Sequence, residues 1–460
     1  MGKVADLNPT PWWGGTDLGI PVQFIDRDGR SKVMYFFGDT FDGDGPWGPP
    51  KPVTRWRSPC AAVAPLTDPG QPIRFERAVR GGEQLLDYQH DNPEFSTVLP
   101  TDGVQIGDRL YLWVMYTQGL ANERWCQIHW SDDHGETWES DGRRWAASDW
   151  GGKRVMLTWC PGPDGRLHIM TTGGLARDKN LMLWRCGLSH DEITNVGGWE
   201  PWGWDGRQWR WGVTPTPDPR FGILPDGFRA GEICLRYMNG WVLSGFDAGA
   251  YNAFVKLGGP DIETANWWTV PDFRPVKGDW QAHGGPEVVG QLYGCYLMAE
   301  STEHNVGLIV SQWNTETGDP YRSMQYRFDH INTSPVVAAI VGAEEGELMS
   351  KADEVAAVTV GETIDYDVGL LDADGNQVER RPANLWASIK NIQWEIRLWL
   401  KERPVAELEN DATGGSGRNR NDTMLGHAVR AASWGRHNHD ALARLEAKLD
   451  RITELLEEKK

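Results

Sequence analysis

Cysteine is sparse in this 460-residue chain: Cys60, Cys126, Cys160, Cys186, Cys234 and Cys295 are widely separated and form no C-x-x-C pair. That excludes a zinc ribbon and a dense disulfide frame, and their strand-like contexts point to buried thiols. Basic residues are outnumbered, 46 Lys and Arg against 65 Asp and Glu, for a net charge of −19. Such a field repels phosphate backbones and anionic lipid, so nucleic acid is excluded as a partner and a neutral polymer such as a polysaccharide fits better. No apolar run approaches the length that spans a bilayer, so no membrane insertion is expected. No charged-then-apolar leader opens the sequence, so synthesis in a cytoplasm without a Sec signal is expected. Long helical patterns are missing before residue 384. What stands in their place is 26 Trp, 54 Gly and 28 Pro, the composition of short strands, frequent turns and aromatic platforms.

The stretch from Gly15 to Phe41 organises the chain. Two apolar β-type runs, Ile20 to Ile25 and Lys32 to Phe37, flank a turn at Asp28-Gly29. The register counted from that turn sets Asp17 opposite Asp39 at the open end of a hairpin, to within one residue. Two carboxylates held close in a partly dehydrated place cannot both ionise freely, which is how an acid and a base are made from one residue type. Solvated aspartates at strand ends are the competing reading.

Similar units follow. Asp42-Gly-Asp-Gly-Pro-Trp-Gly-Pro-Pro is a rigid loop beside Asp39, either a cleft wall or a calcium-holding turn without EF-hand spacing. Ser131 to Trp138 fits the S-x-D-x-G-x-T-W Asp-box, in which Asp133 and Thr137 tie a hairpin turn of a propeller blade, remote from chemistry. The hairpin around Asn239-Gly240 repeats the logic of the first: its register sets Glu232 opposite Asp247, and alternation puts Glu232, Cys234 and Arg236 on one face. Tryptophans cluster at Trp12-Trp13, Trp199 to Trp211 and Trp267-Trp268, as core or as surfaces on which sugar rings stack. His283 sits in a Gly-rich loop that can line a cleft. About 330 residues of four-stranded blades make roughly five blades, so the expected fold is mainly β, a five-bladed β-propeller.

Residues 10–330 resemble the actinobacterial endo-D-arabinanase family of glycoside hydrolases found in mycobacteria and in the tail proteins of their phages. The residues that carry this are Thr16-Asp-Leu-Gly19, Gly38-Asp-Thr-Phe41, Arg57-Ser-Pro59, Thr97-Val-Leu-Pro100, the Asp-box, Gly231 to Arg236 and Leu308 to Trp313, in that order. The stretch Tyr293 to Ala299 departs from the family pattern. The resemblance implies a five-bladed propeller that cleaves the α-linked D-arabinan of arabinogalactan and lipoarabinomannan. It implies Asp17 and Asp39 as active-site acids, with Glu232 a third. In that scheme one of Asp17 and Asp39 is the general base, the other tunes its pKa and orientation, and Glu232 protonates the leaving oxygen, with inversion of configuration. Arg236, Asp247, His283 and Trp13 are the expected substrate contacts. No cofactor is required; a structural calcium is the one metal considered.

Past the propeller of residues 1–334, a small β element or extended arm is expected over 335–383. Leu385, Ile389, Ile392, Ile396 and Trp399 then make a two-heptad seam, an amphipathic oligomerisation helix over 384–404. A flexible linker, 405–421, leads to a coiled-coil helix over 422–460, with Leu442, Leu445, Leu449, Ile452 and Leu456 on its seam. The whole reads as a phage tail-associated endo-D-arabinanase on the virion tail tip, a homotrimer joined to other tail proteins. A non-catalytic, lectin-like receptor-binding propeller is the alternative, and a structural propeller whose carboxylates bind calcium is a third reading.

Overall fold

The computed structural model describes residues 2–7, 12–42, 55–215, 223–224, 227–263, 267, 273–281, 284 and 288–329. They form five sheets, antiparallel except for one strand pair, arranged as the blades of a propeller. Blade I is built from Gly15–Ile25, Ser31–Phe41, Cys60–Pro65 and Arg77–Ala78. Blade II follows with Thr97–Ile106, Arg109–Thr117, Glu123–Ser131 and Trp145–Ala146. Blades III and IV open with Met156–Pro161 and Ala230–Tyr237, and each carries a fifth strand; in blade IV the last pair, Lys277–Asp279 with Val288–Gly290, is parallel. Blade V takes Leu292–Leu297, Val306–Trp313 and Tyr321–Phe328 from the end of the domain and Gly2–Leu7 from its start. That pairing of first and last strands closes the ring, which would otherwise leave two exposed edges.

The first strand of every blade lies innermost, and adjacent innermost strands pack on one another. A blade between two neighbours is covered on both faces, so its strands need not alternate. Val33–Phe37 is accordingly fully buried without a break. The six cysteines are buried free thiols, as expected. Trp113, Trp159, Trp184 and Trp241 fill the space between blades. Near the centre, Arg236 grips both oxygens of Asp102 at 3.0 and 3.1 Å and donates to Pro21 O, while Thr158 Oγ donates to Asp102 at 2.6 Å. One polar node thus ties blades I, II, III and IV, with all its buried groups partnered. Blade V is joined through Leu18 N to Ser311 Oγ, 2.9 Å, and Ser244 Oγ to Cys295 O, 2.7 Å.

The expected hairpin at Gly15–Phe41 is present, its turn closed by Gly29 N to Asp26 O. The Asp-box lies where the Glu123–Ser131 strand ends, against this turn: Asp133 accepts from Thr137 N, Thr137 Oγ and Ser131 Oγ, and Trp138 packs edge-on against Phe36. The expected loop from Asp42 to Pro50 is described only at Asp42, which pairs with Arg57. The arm, both helical seams and the linker lie outside the described residues. No described helix is long and apolar enough to cross a membrane.

Candidate active site

All five innermost strands run the same way, so their first residues gather at one end of the axis. Asp17, Thr97, Glu232 and Tyr293 each sit at or near the start of such a strand, and Asp39 and Tyr321 belong to outer strands that end or begin there. The local chain is bent to place them. In blade I the ladder pairs Thr16 with Thr40 and then Leu18 with Phe37, a bulge that leaves Asp17 and Asp39 outside the regular pairing but together at the open end. Leu18 and Gly19 both take positive φ, +63° and +83°, an expensive conformation for leucine. Ser311 and Ser323 hold the Leu18 N–H and carbonyl in it. Gly38 is needed for space: a Cβ there would stand 2.4 Å from Asp17 Oδ1.

Asp17 is 8% exposed, and its Oδ2 accepts from the Tyr293 hydroxyl at 2.9 Å. Its Oδ1 is buried with no partner. Burial, then the Asp39 charge, pushes Asp17 up to about 8, against the opposing hydroxyls of Tyr321 and Tyr293; the Glu232 charge adds to the rise. Asp39 is half-buried, and Trp56 Nε1 and Thr97 Oγ both donate to its Oδ1, at 2.8 and 2.9 Å. Burial raises it to about 6, with the Trp56, Thr97 and Ser58 donors pulling the other way. His90 stacks on Trp56 with ring centroids 4.2 Å apart and supports that indole. The two acids therefore separate, Asp17 holding its proton to higher pH than Asp39.

Glu232 is differently placed. Both of its oxygens are taken by the Arg177 guanidinium, whose Nε lies 3.1 and 2.9 Å from them. That guanidinium also lies over the Tyr293 and Phe246 rings, at 5.8 and 5.5 Å. The expected partnership of Glu232 with Asp247 is corrected: Asp247 pairs with Ala230, because a bulge between Gly231 and Cys234, with Glu232 at φ +42°, shifts the register. The same bulge breaks the alternation that set Glu232, Cys234 and Arg236 on one face, and Arg236 joins the Asp102 node instead. Asp247 accepts from Arg274 Nη1 at 2.8 Å and from the N–H groups of Arg229 and Gly249. Trp13 is 2% exposed, packed edge-on against Phe37 with its indole N–H on Gly82 O. His283 lies outside the described residues.

Sequence reasoning missed Trp56, Tyr321 and Arg177 as site residues. Thr97 stood in a quoted motif, and Tyr293 in the stretch that departs from the family pattern. Nothing local marks Arg177, a loop residue whose partner comes from the next blade. Among the described residues no group of three or more His, Cys, Asp or Glu side chains is placed to hold a metal ion.

Comparison with known proteins places the chain. It is 28% identical over 334 residues to an uncharacterized 35.9 kDa protein in the asd 3' region of Mycolicibacterium smegmatis, covering 68% of this chain and 92% of that one. It is 27% identical over 357 residues to notoamide biosynthesis cluster protein J of an Aspergillus species, covering 70% and 86%. Among solved structures, a glycosyl hydrolase from Bacteroides ovatus superposes with a TM-score of 0.39 at 12% identity, over 70% of this chain and 86% of that one. Residues 12–327 match the family described as a domain of unknown function, DUF4185, and the chain belongs to that family.

Proposed function

We propose that this DUF4185 protein is a glycoside hydrolase that cleaves α-D-arabinan internally, with inversion. One observation carries the reading: two carboxylic acids at the end of the propeller axis, held by neutral donors with no cation on either among the described residues, in environments that separate their pKa values. In this reading Asp39 is the base. It takes a proton from water as the water oxygen attacks the anomeric carbon, while Asp17 gives its proton to the departing glycosidic oxygen as that C–O bond breaks. The proton-donor role expected of Glu232 passes to Asp17, because both Glu232 oxygens are occupied by Arg177. Glu232 instead holds Arg177 against the Tyr293 ring, beside the hydroxyl that positions Asp17.

The substrate class rests on the order of motifs along residues 10–330 and on a net charge of −19, which suits a neutral polymer. The two helical seams extend the proposal to a trimeric, tail-borne protein that opens arabinan at the site of phage adsorption. Incubation with arabinogalactan, with L-arabinan and starch alongside, tests the activity: oligosaccharides released from arabinogalactan alone are expected on chromatography. Binding without product makes the protein a lectin and overturns the hydrolase. Deleting residues 405–460 is expected to lower the oligomeric state in light scattering, and a full-length monomer at micromolar concentration overturns the trimer.

A further inference from the structure

Among the described residues the large apolar side chains left exposed are Ile25, Leu66, Leu120, Trp150 and Trp280. Strand direction sorts them. Ile25 and Leu66 lie at the end that carries the Asp26 turn, whereas Leu120, Trp150 and Trp280 lie at the end that carries the carboxylates. Both exposed tryptophans are therefore on the candidate active-site face, and Trp280 is the more open, 73% exposed against 40% for Trp150.

Trp280 is also fixed relative to the acids. It follows Lys277–Asp279, a strand that runs toward this end alongside Val288–Gly290. Asp279 O accepts from Gln291 N at 2.6 Å, next to the start of the innermost strand of blade V, on which Tyr293 reaches Asp17. The Trp280 ring stands edge-on to Tyr251, centroids 5.8 Å apart at 86°, and Tyr251 stands edge-on to Phe246 at 5.1 Å. Phe246 in turn lies under the guanidinium that holds Glu232. A line of ordered rings thus runs from the acid cluster to an indole whose face is left to solvent.

We propose that Trp280 is a substrate-binding platform, on which a sugar ring of the bound polymer stacks at a distance from the bond that is cut. Its occupant is a neutral sugar: an exposed indole face offers apolar contact to the C–H face of a furanose ring, and the acidic protein offers an anionic chain nothing. The edge contact with Tyr251 holds the indole in place before binding, so little side-chain freedom is lost when the sugar arrives. The identity of the polymer as arabinan rests on the function proposed above; the platform rests on the placement of Trp280.

The test uses the full chain carrying Asp39→Asn, so that polymer is not consumed, in affinity electrophoresis through gels containing arabinogalactan. Trp280→Ala in that background is expected to bind about threefold to tenfold more weakly, and Trp280→Phe to keep most of the affinity. Retardation of the parent that Trp280→Ala leaves unchanged overturns the platform alone. A parent that is not retarded by arabinogalactan overturns the arabinan reading and the platform with it. Retardation lost in both Trp280→Ala and Trp280→Phe, with melting temperature also lowered, assigns Trp280 to structure and overturns the platform.

Discussion

The opening hairpin carries a buried aspartate at each end, and the two have been driven in opposite directions. Asp26, at the turn, is as buried as Asp17 at the open end, 6% exposed against 8%. Around Asp26 stand Lys32 and Arg77, 3.1 and 2.9 Å away. Burial raises that carboxyl, but the Arg27 N–H, Lys32 and Arg77 outweigh it and bring the pKa down to about 2. Among the described residues Asp17 meets hydroxyls and other carboxylates, and it goes up to about 8. Burial alone therefore does not distinguish a structural acid from a chemical one. What distinguishes them is whether a cation is paired with the acid, and among the described residues none is paired with Asp17 or Asp39.

The largest effect is expected where that contrast is abolished on the chemical side. Asp39→Asn and Asp17→Asn should each lower turnover on arabinogalactan by about 10²–10⁴-fold, as expected for loss of a general base or acid, with circular dichroism unchanged. If both variants keep wild-type turnover, the hairpin has no catalytic role. Glu232→Gln weakens the Arg177 pair and is expected to lower turnover less than either Asp variant; an equal or greater loss would return the acid to Glu232.

Next comes the most buried carboxylate that has its cation, Asp102, 1% exposed and gripped by Arg236. Arg236→Met leaves that charge alone in the centre of four blades and should destabilise by about 3–5 kcal/mol in denaturant unfolding. Adding Asp102→Asn removes the orphaned charge and should restore part of the loss. Failure of the double variant to recover anything would mean that Arg236 acts through packing and its bond to Pro21 O rather than through charge.

How far this was legible in the sequence follows from the range of each contact. The pairing of Asp17 with Asp39 could be counted from a turn a few residues away, and the bulge that distorts it leaves both acids together. The register of Glu232 was counted the same way and went astray, because the bulge at Gly231–Cys234 lies between it and the turn. Trp13 is visible as an aromatic, but its burial against Phe37 depends on the loop that brings Gly82 over it. Arg177, Tyr293 and Tyr321 come to the site from three outer or neighbouring blade segments, which no local pattern encodes. The closing strand Gly2–Leu7 pairs with the last strand of the domain, more than 300 residues away in sequence.

The two ends of the hairpin also predict opposite pH limbs. Asp17 and Asp39 have folded pKa values raised above the unfolded ones, so their contribution to stability is full below about pH 4 and is lost as pH rises through about 6 and about 8. Asp26 has a lowered folded pKa, so its contribution is present above about pH 4 and is lost as pH falls through about 2. Melting temperature measured from pH 2 to 9 should therefore fall on both sides. Asp17→Asn should flatten the neutral limb alone, and Asp26→Asn the acid limb alone. If Asp17→Asn leaves the neutral limb unchanged, Asp17 is not protonated in the folded state.

The smallest effect sharpens the comparison by separating burial from donors. Asp133, in the Asp-box, resembles Asp39 in taking its hydrogen bonds from neutral groups: Thr137 N at 2.8 Å, Thr137 Oγ at 2.7 Å and Ser131 Oγ at 2.8 Å. It is half-buried as Asp39 is, but lies by the Asp26 turn, where Arg27 donates to its carbonyl. Burial raises its pKa, but there the Thr137 and Ser131 donors outweigh it and the net shift is downward, whereas at Asp39 comparable donors lose to burial. The sign of the shift at each carboxylate is thus set by the balance of burial against its donors, which are more numerous from the backbone at Asp133. Asp133→Asn loses charge-assisted bonds in a turn and should cost about 0.5–2 kcal/mol, read as a lower melting temperature, while turnover per folded molecule stays at the wild-type value. A loss of turnover without a loss of stability would place chemistry at the Asp-box end and overturn its assignment to Asp17 and Asp39.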